Sequence, residues 1–146
     1  MRKRKNAGFT LVELILVLII LSVLAAIVVP NVVGRGKEGK IGATKTQIAA
    51  FKTALDEYAL DNHSEYPTTE QGLKALAEKP SSPPVPKKWK HYLDEIPKDP
   101  WGNPYKYERP GKHYKHKYDV WSMGPDGLDG TEDDIGNWNL SDTDED

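Results

Sequence analysis

Five carboxylates crowd a short glycine-rich stretch near the end of the 146-residue chain, where Asp126, Asp129, Glu132, Asp133 and Asp134 stand among Gly124, Gly127 and Gly130. Like charges this close repel unless a cation or solvent separates them. Calcium suits the composition: it is a hard ion that takes about six to eight oxygens from carboxylates and main-chain carbonyls, and glycines let the backbone turn around it. The spacing is not that of an EF-hand, because Leu128 holds the alternate position after Asp126 and no glutamate stands at the twelfth. Two readings remain open on this chemistry, a calcium loop (Ca2+) and a solvated acidic turn.

Glu13 raises a different problem. It lies inside an apolar run from Phe9 to Val29 that is otherwise interrupted only by Thr10 and Ser22. About 20 apolar residues in a helix cross a hydrocarbon core, and a carboxylate within one is unfavourable by roughly 2.5 to 3.5 kcal/mol. Such a residue requires a partner, and a buried ammonium is the natural one, since either charge alone is costly. Arg2, Lys3, Arg4 and Lys5 precede the run and the hydrophilic remainder comes after it, so the N-terminus is expected to stay cytoplasmic and the rest to be exported. A secretory signal peptide cut after Ala25 or Ala26 is the competing pattern. Against it stand the carboxylate within the apolar core, the continuation of that core past the cleavage position, and Gly8-Phe9 at the boundary between charged and apolar parts.

Other reactive types find no supporting set. His113 and His116 face opposite sides if their stretch is extended, and Ser64 beside His63 reads as a helix terminus. Lys112, Lys115 and Lys117 with Tyr114 and Tyr118 form a basic aromatic patch that reads as a solvated strand face. There is no phosphate-binding glycine loop and no nucleophile with a base, so the chain is not read as an enzyme. A net charge of -2 gives no electrostatic reason for a nucleic-acid partner. With no cysteine, an exported domain of this size lacks disulfide staples, so either its core suffices or a metal serves instead.

The elements that must position these groups are set by periodicity. Ile41, Ile48, Phe51, Leu55 and Tyr58 recur at helical spacing, with Lys45, Lys52, Asp56 and Glu57 on other faces, which predicts an amphipathic helix ending near Asp61 to Ser64. Pro30, Gly34, Gly36, Gly39 and Gly42 form a weak joint before it, either helical and kinked or extended. Thr68 or Thr69 is expected to cap a short helix carrying Leu73, Leu76 and Ala77. Ser81 to Pro86 reads as an extended connection, and Trp89, Tyr92, Leu93 and Ile96 as another helical turn. Pro97 to Pro104 is a turn cluster before a strand at Tyr105 to Glu108, and a second strand runs from Tyr118 to Ser122. The fold class is α+β, a long helix packed on a small antiparallel sheet with short helices.

Gly8-Phe9-Thr10-Leu11-Val12-Glu13, leading into an apolar helix and Pro30, resembles the class III leader of type IV pilins and type II secretion pseudopilins. Tyr66 to Leu73, Asp99 to Tyr105, Ser122 to Gly127 and Asp133 to Trp138 narrow the resemblance to the major pseudopilins of type II secretion systems. It departs in the proline- and lysine-rich insert from Ser81 to Lys90 and in the acidic tail after Leu140. The resemblance implies a type IV pilin-like fold in three parts: a leader (1–8), a transmembrane and assembly helix (9–30), and a periplasmic domain (31–146) with a calcium loop at 122–138. It implies cleavage by a prepilin peptidase between Gly8 and Phe9, N-methylation of Phe9, and a Glu13 that neutralises a neighbouring subunit's terminal amine. It also implies calcium ligation by the side chains of Asp126, Asp133 and Asp134 and the carbonyls of Met123 and Leu128, with Asp129 and Glu132 left to solvent. The implied function is structural, as a subunit that leaves the bacterial inner membrane and polymerises with itself into a periplasmic pseudopilus for protein export. Its implied partners are minor pseudopilins, the inner-membrane assembly platform and the peptidase. A type IV pilin for adhesion or motility, or a membrane-anchored calcium-dependent binding module, is the alternative.

Overall fold

The computed structural model describes residues 8–140, of which 25–35 are described by their backbone alone. The basic leader Arg2 to Lys5, the side chains of the apolar run beyond Leu24, and the acidic tail after Leu140 lie outside the described residues. The chain divides into two compact units, Met1–Gly39 and Lys40–Asp146.

Helix α1 runs from Leu11 to Asp61. In the first unit it opens on a reciprocal pair: Thr10 Oγ1 accepts the Glu13 N–H at 3.2 Å while Glu13 Oε2 accepts the Thr10 N–H at 3.4 Å. This is a capping box, which satisfies two amides that helix geometry leaves without partners. Leu11 through Leu24 present exposed side chains. Ser22 returns its hydroxyl to the Leu18 carbonyl at 2.7 Å, so its one polar group is absorbed by the helix backbone. Among the described residues no helix is long and apolar enough to cross a membrane, the apolar run having described side chains only as far as Leu24. The backbone is helical from Pro30 to Gly42, so the weak joint is not extended.

In the second unit the amphipathic half of α1 does what its spacing predicts. Ile48, Phe51, Leu55 and Tyr58 are buried, with Ala54 joining them and Ile41 half-buried at the margin. Thr44 is buried too, its hydroxyl donating to the Lys40 carbonyl at 2.8 Å. The helix ends as expected at Asp61. His63 takes the left-handed conformation (φ 59°), and the Ser64 N–H closes back onto the Ala59 carbonyl at 2.8 Å, a Schellman-type closure.

The sheet has three antiparallel strands rather than two: β1 (Lys106–Glu108), β2 (Asp119–Ser122) and β3 (Ile135–Gly136), in the order β1-β2-β3. Tyr107 pairs with Val120, and Trp121 with Gly136. The third strand escapes a pattern search because two residues carry no alternation. Asn137 continues it instead, its Oδ1 accepting the Val120 N–H at 3.1 Å and its Nδ2 donating to the Tyr118 carbonyl. Strand alternation sends Tyr118 and Val120 into the core with the helix, and Asp119 and Trp121 to the opposite face. Phe51 meets Tyr105 edge-on at 5.0 Å, an arrangement aromatic pairs prefer.

The capping near Thr68 differs in detail. Thr68 and Gln71 form a reciprocal box of their own at 3.1 and 3.2 Å, and the chain then makes a single 3-10 turn, Leu73–Leu76, with Ala75 buried and Ala77 outside the turn. The helical turn expected at Trp89 to Ile96 does not form. The Tyr92 and Leu93 amides donate to the Leu76 carbonyl, and the Trp89 indole to Ala75. Those amides cap the preceding turn, so they are not available to a local helix.

Asp99 locks the turn cluster to the sheet. It is 4% exposed. Its Oδ1 accepts the Trp101 and Asn103 amides, and its Oδ2 the Ser122 hydroxyl at 2.6 Å. Removing a buried acceptor strands each donor at about 1 to 3 kcal/mol. Asp99→Ala is therefore expected to lower the unfolding free energy of fragment 37–146 by about 3 kcal/mol or more, as read from urea denaturation. A loss under about 0.5 kcal/mol, the range of ordinary surface changes, would contradict the assignment.

Candidate functional site

At the head of α1, Gly8 and Phe9 precede the helix, and Phe9 is 78% exposed. A Cβ on Gly8 would meet nothing within 4 Å, so the chain itself does not require glycine there. Glu13 is exposed and, as an acidic residue in the first turn, is favourably placed against the positive end of the helix dipole. Thr10 is the partner that sequence reading overlooked. The signal was present, since Thr10-Leu11-Val12-Glu13 ahead of an apolar run is the capping-box pattern.

The acidic loop hangs between β2 and β3 and is pinned at both ends. At its start, Ser122 Oγ accepts the Gly124 N–H at 3.1 Å while donating to Asp99. At its end, Asn139 Oδ1 accepts the Gly136 N–H and its Nδ2 donates to the Asp134 carbonyl. Gly124 has φ 65°, and a Cβ there would collide with the backbone of Asp133, so glycine alone lets the two ends approach. Within the loop, Asp126 Oδ1 accepts the Leu128 N–H at 2.9 Å, and Asp134 Oδ2 accepts the Gly130 N–H at 2.8 Å. The Leu128 carbonyl receives a long bond from the Thr131 hydroxyl at 3.4 Å.

Asp134 is the electrostatically disturbed member. Burial pushes its carboxyl above the usual range, and the charges of Asp129 and Asp126 add to that, against the Gly130 amide, which lowers it. Its other oxygen, Oδ1, is buried without a hydrogen-bond partner. An acceptor left unpaired in this way is costly unless a donor or a cation completes it. The donor set is entirely oxygen, which suits a hard cation. Among the described residues, however, no three His, Cys, Asp or Glu side chains are gathered closely enough to hold a metal ion, so Asp126, Asp133 and Asp134 do not converge on one point. Asp129 is not simply solvated: its Oδ1 accepts the Trp121 indole N–H at 2.8 Å. Glu132 is exposed.

On the far face of the sheet, His113 joins neither His116 nor a metal. Its amide donates to Asp119 Oδ2 at 2.7 Å, its Nδ1 lies 3.0 Å from the same oxygen, and its ring stacks on Trp138 at 3.8 Å. His63 and Ser64 terminate α1. Neither pair is assembled into a nucleophilic set.

Similarity to known proteins extends over both ends of the chain. Residues 31–138 match the family described as type II secretion system (T2SS), protein G, and residues 3–29 the prokaryotic N-terminal methylation motif. The type II secretion system core protein G of Aeromonas hydrophila is 49% identical over 144 residues, covering 97% of this chain and 99% of that protein. Its counterpart from Pseudomonas aeruginosa is 48% identical over 143 residues, covering 94% and 99%. The crystal structure of the major pseudopilin from the type 2 secretion system of enterohaemorrhagic Escherichia coli superposes with a TM-score of 0.67 at 41% identity, covering 76% of this chain and 92% of that one.

Proposed function

This chain belongs to the type II secretion system protein G family, and we infer that it is the major structural subunit of a type II secretion pseudopilus rather than an enzyme. The observation that carries the reading is the match across residues 31–138 together with the methylation motif at 3–29. The structure supports it physically. A helix whose first turns expose Leu11, Val12, Leu14, Ile15 and Leu18 has apolar surface suited to lipid or to other copies of itself. Head-to-tail contacts that do not close would make such copies a helical filament.

In this reading a prepilin peptidase cuts between Gly8 and Phe9, Phe9 is N-methylated, and the subunit stays anchored in the inner membrane with its second unit in the periplasm until it assembles. Minor pseudopilins and the inner-membrane assembly platform are its partners in the machinery. Glu13 then pairs with the terminal amine of a neighbouring subunit, which removes an isolated charge from an apolar filament core.

The acidic loop is assigned to calcium. The side chains of Asp126, Asp133 and Asp134 and the carbonyls of Met123 and Leu128 would hold the ion. Its charge would offset the repulsion felt by Asp134, and the unpartnered Asp134 Oδ1 supports the reading. For a domain with no cysteine, such an ion takes the place of a disulfide staple.

Intact mass of the membrane-extracted protein tests processing directly, since it reports leader loss and methylation together. Gly8→Val is expected to leave the full-length mass unchanged and to reduce mature protein at least tenfold. A Cβ at this position meets nothing in the chain itself, so any block originates in the peptidase. Recovery of mature protein beginning at Phe9 in normal amounts would overturn the cleavage assignment.

A further inference from the structure

We propose that the acidic C-terminal segment, Asp142 to Asp146, docks on the basic loop Lys112 to Lys117 of its own chain. The loop is exposed throughout. Lys112 reaches Glu108 at 3.7 Å, but among the described residues no ion pair engages Lys115 or Lys117. Lys115, His116 and Lys117 line a cleft of about 360 Å³ with Arg109 and Thr68. Arg109 itself is held by Glu65 at 2.6 Å, so the free positive charge of that cleft is on the lysines.

The tail begins beside this loop. Trp138 stacks on His113 at 3.8 Å with ring planes 13° apart, and Asn137 borders a second cleft with Lys52, Tyr114 and Lys117. The described residues end at Leu140, which packs against the core. From there to Asp146 an extended chain reaches at most about 20 Å. That segment carries Asp142, Asp144, Glu145 and Asp146.

Charge decides which side of Trp138 the segment takes. One side presents Asp129 and Asp134, which line a cleft with Trp138 and His113. The other presents the lysines. A segment of this sign is repelled by the first and attracted by the second, within a Debye length of about 10 Å at 0.1 M salt. One exposed ion pair contributes little, so the docking depends on several carboxylates acting together. Tethering places the segment at an effective concentration on the order of millimolar, which favours its own loop over that of a second copy.

Zero-length carbodiimide cross-linking of the full chain in detergent, with peptide mass spectrometry on a mixture of light and heavy-isotope copies, tests this. The expected result is cross-links from Lys115 and Lys117 to the tail carboxylates, confined to one isotopic form. Their yield should fall several-fold between about 20 mM and about 500 mM salt. In the Lys115→Glu/Lys117→Glu variant they should disappear, while the Lys74 to Glu78 cross-link (3.1 Å) persists and shows that the chain is folded and the reagent active. The proposal is overturned if tail cross-links are missing where Lys74 to Glu78 forms. It is equally overturned if the tail reacts as often with Lys87 and Lys88, or if its cross-links join light to heavy copies.

Discussion

Glu13→Val is expected to insert and be processed normally yet form almost no filament. Valine makes the segment more apolar and leaves Gly8-Phe9 untouched, so neither insertion nor cleavage has reason to suffer. Assembly loses the carboxylate that offsets each incoming terminal ammonium, and breaking a buried pair is unfavourable by about 3 to 5 kcal/mol per contact. That corresponds to a drop of at least a hundredfold in the equilibrium for adding one subunit. The structure adds a second role that must be separated from this one, because Glu13 also closes the capping box with Thr10. Loss of a cap is worth about 1 kcal/mol, too little to account for a full block. Glu13→Gln separates the two, since glutamine serves in a capping box as well as glutamate does but carries no charge. Filament yield, measured by sedimentation and electron microscopy, should fall as far in Glu13→Gln as in Glu13→Val. Normal filaments from Glu13→Gln would show that the cap, not the charge, is what assembly needs.

Calcium is expected to raise the melting temperature of fragment 37–146, which retains every core residue from Ile41 onward. Binding to the folded state alone adds RT ln(1 + [L]/Kd), about 2.7 kcal/mol at a hundredfold excess over Kd. For a domain of this size that is a shift on the order of 10 °C. Asp126→Ala and Asp133→Ala should remove most of the difference while leaving the chelated form little changed, because each lost carboxylate also relieves repulsion in the loop. The pH dependence gives an independent check. Burial and neighbouring carboxylates raise the Asp134 carboxyl in the folded chain. The folded state therefore binds that proton more tightly than the unfolded state does. Its contribution to stability is fully present below the ordinary carboxylate value of about 4 and is lost as pH rises through the raised one. With chelator, acidification into that window should favour the fold at this site. With calcium, the same acidification should displace the ion and disfavour it. Asp134→Asn should flatten both trends. Identical melting curves with millimolar calcium and with chelator would reduce the loop to a solvated acidic turn.

The sequence by itself determined whatever depends on a period or a local pattern. The stripe Ile48, Phe51, Leu55 and Tyr58 specifies which face of α1 is buried, because a helix brings residues three and four apart to one side. The junction of Gly8-Phe9 with an apolar run holding one carboxylate marks the processing and assembly region, because charge in such a run has few tolerable explanations. Tertiary structure alone decided what depends on pairs distant in the chain. Trp89 to Ile96 reads as helical, but its amides go to Leu76 and its indole to Ala75; no local signal encodes a partner more than a dozen residues away. β3 is two residues long and exists because Asn137 and β2 supply its hydrogen bonds. Asp99 looks like one turn residue among several until the fold brings Ser122 to it. The acidic loop shows the same division: its oxygen-rich composition is plain in the sequence, but the burial that raises the Asp134 carboxyl and leaves its Oδ1 unpartnered arises only when β2 and β3 close the loop between them.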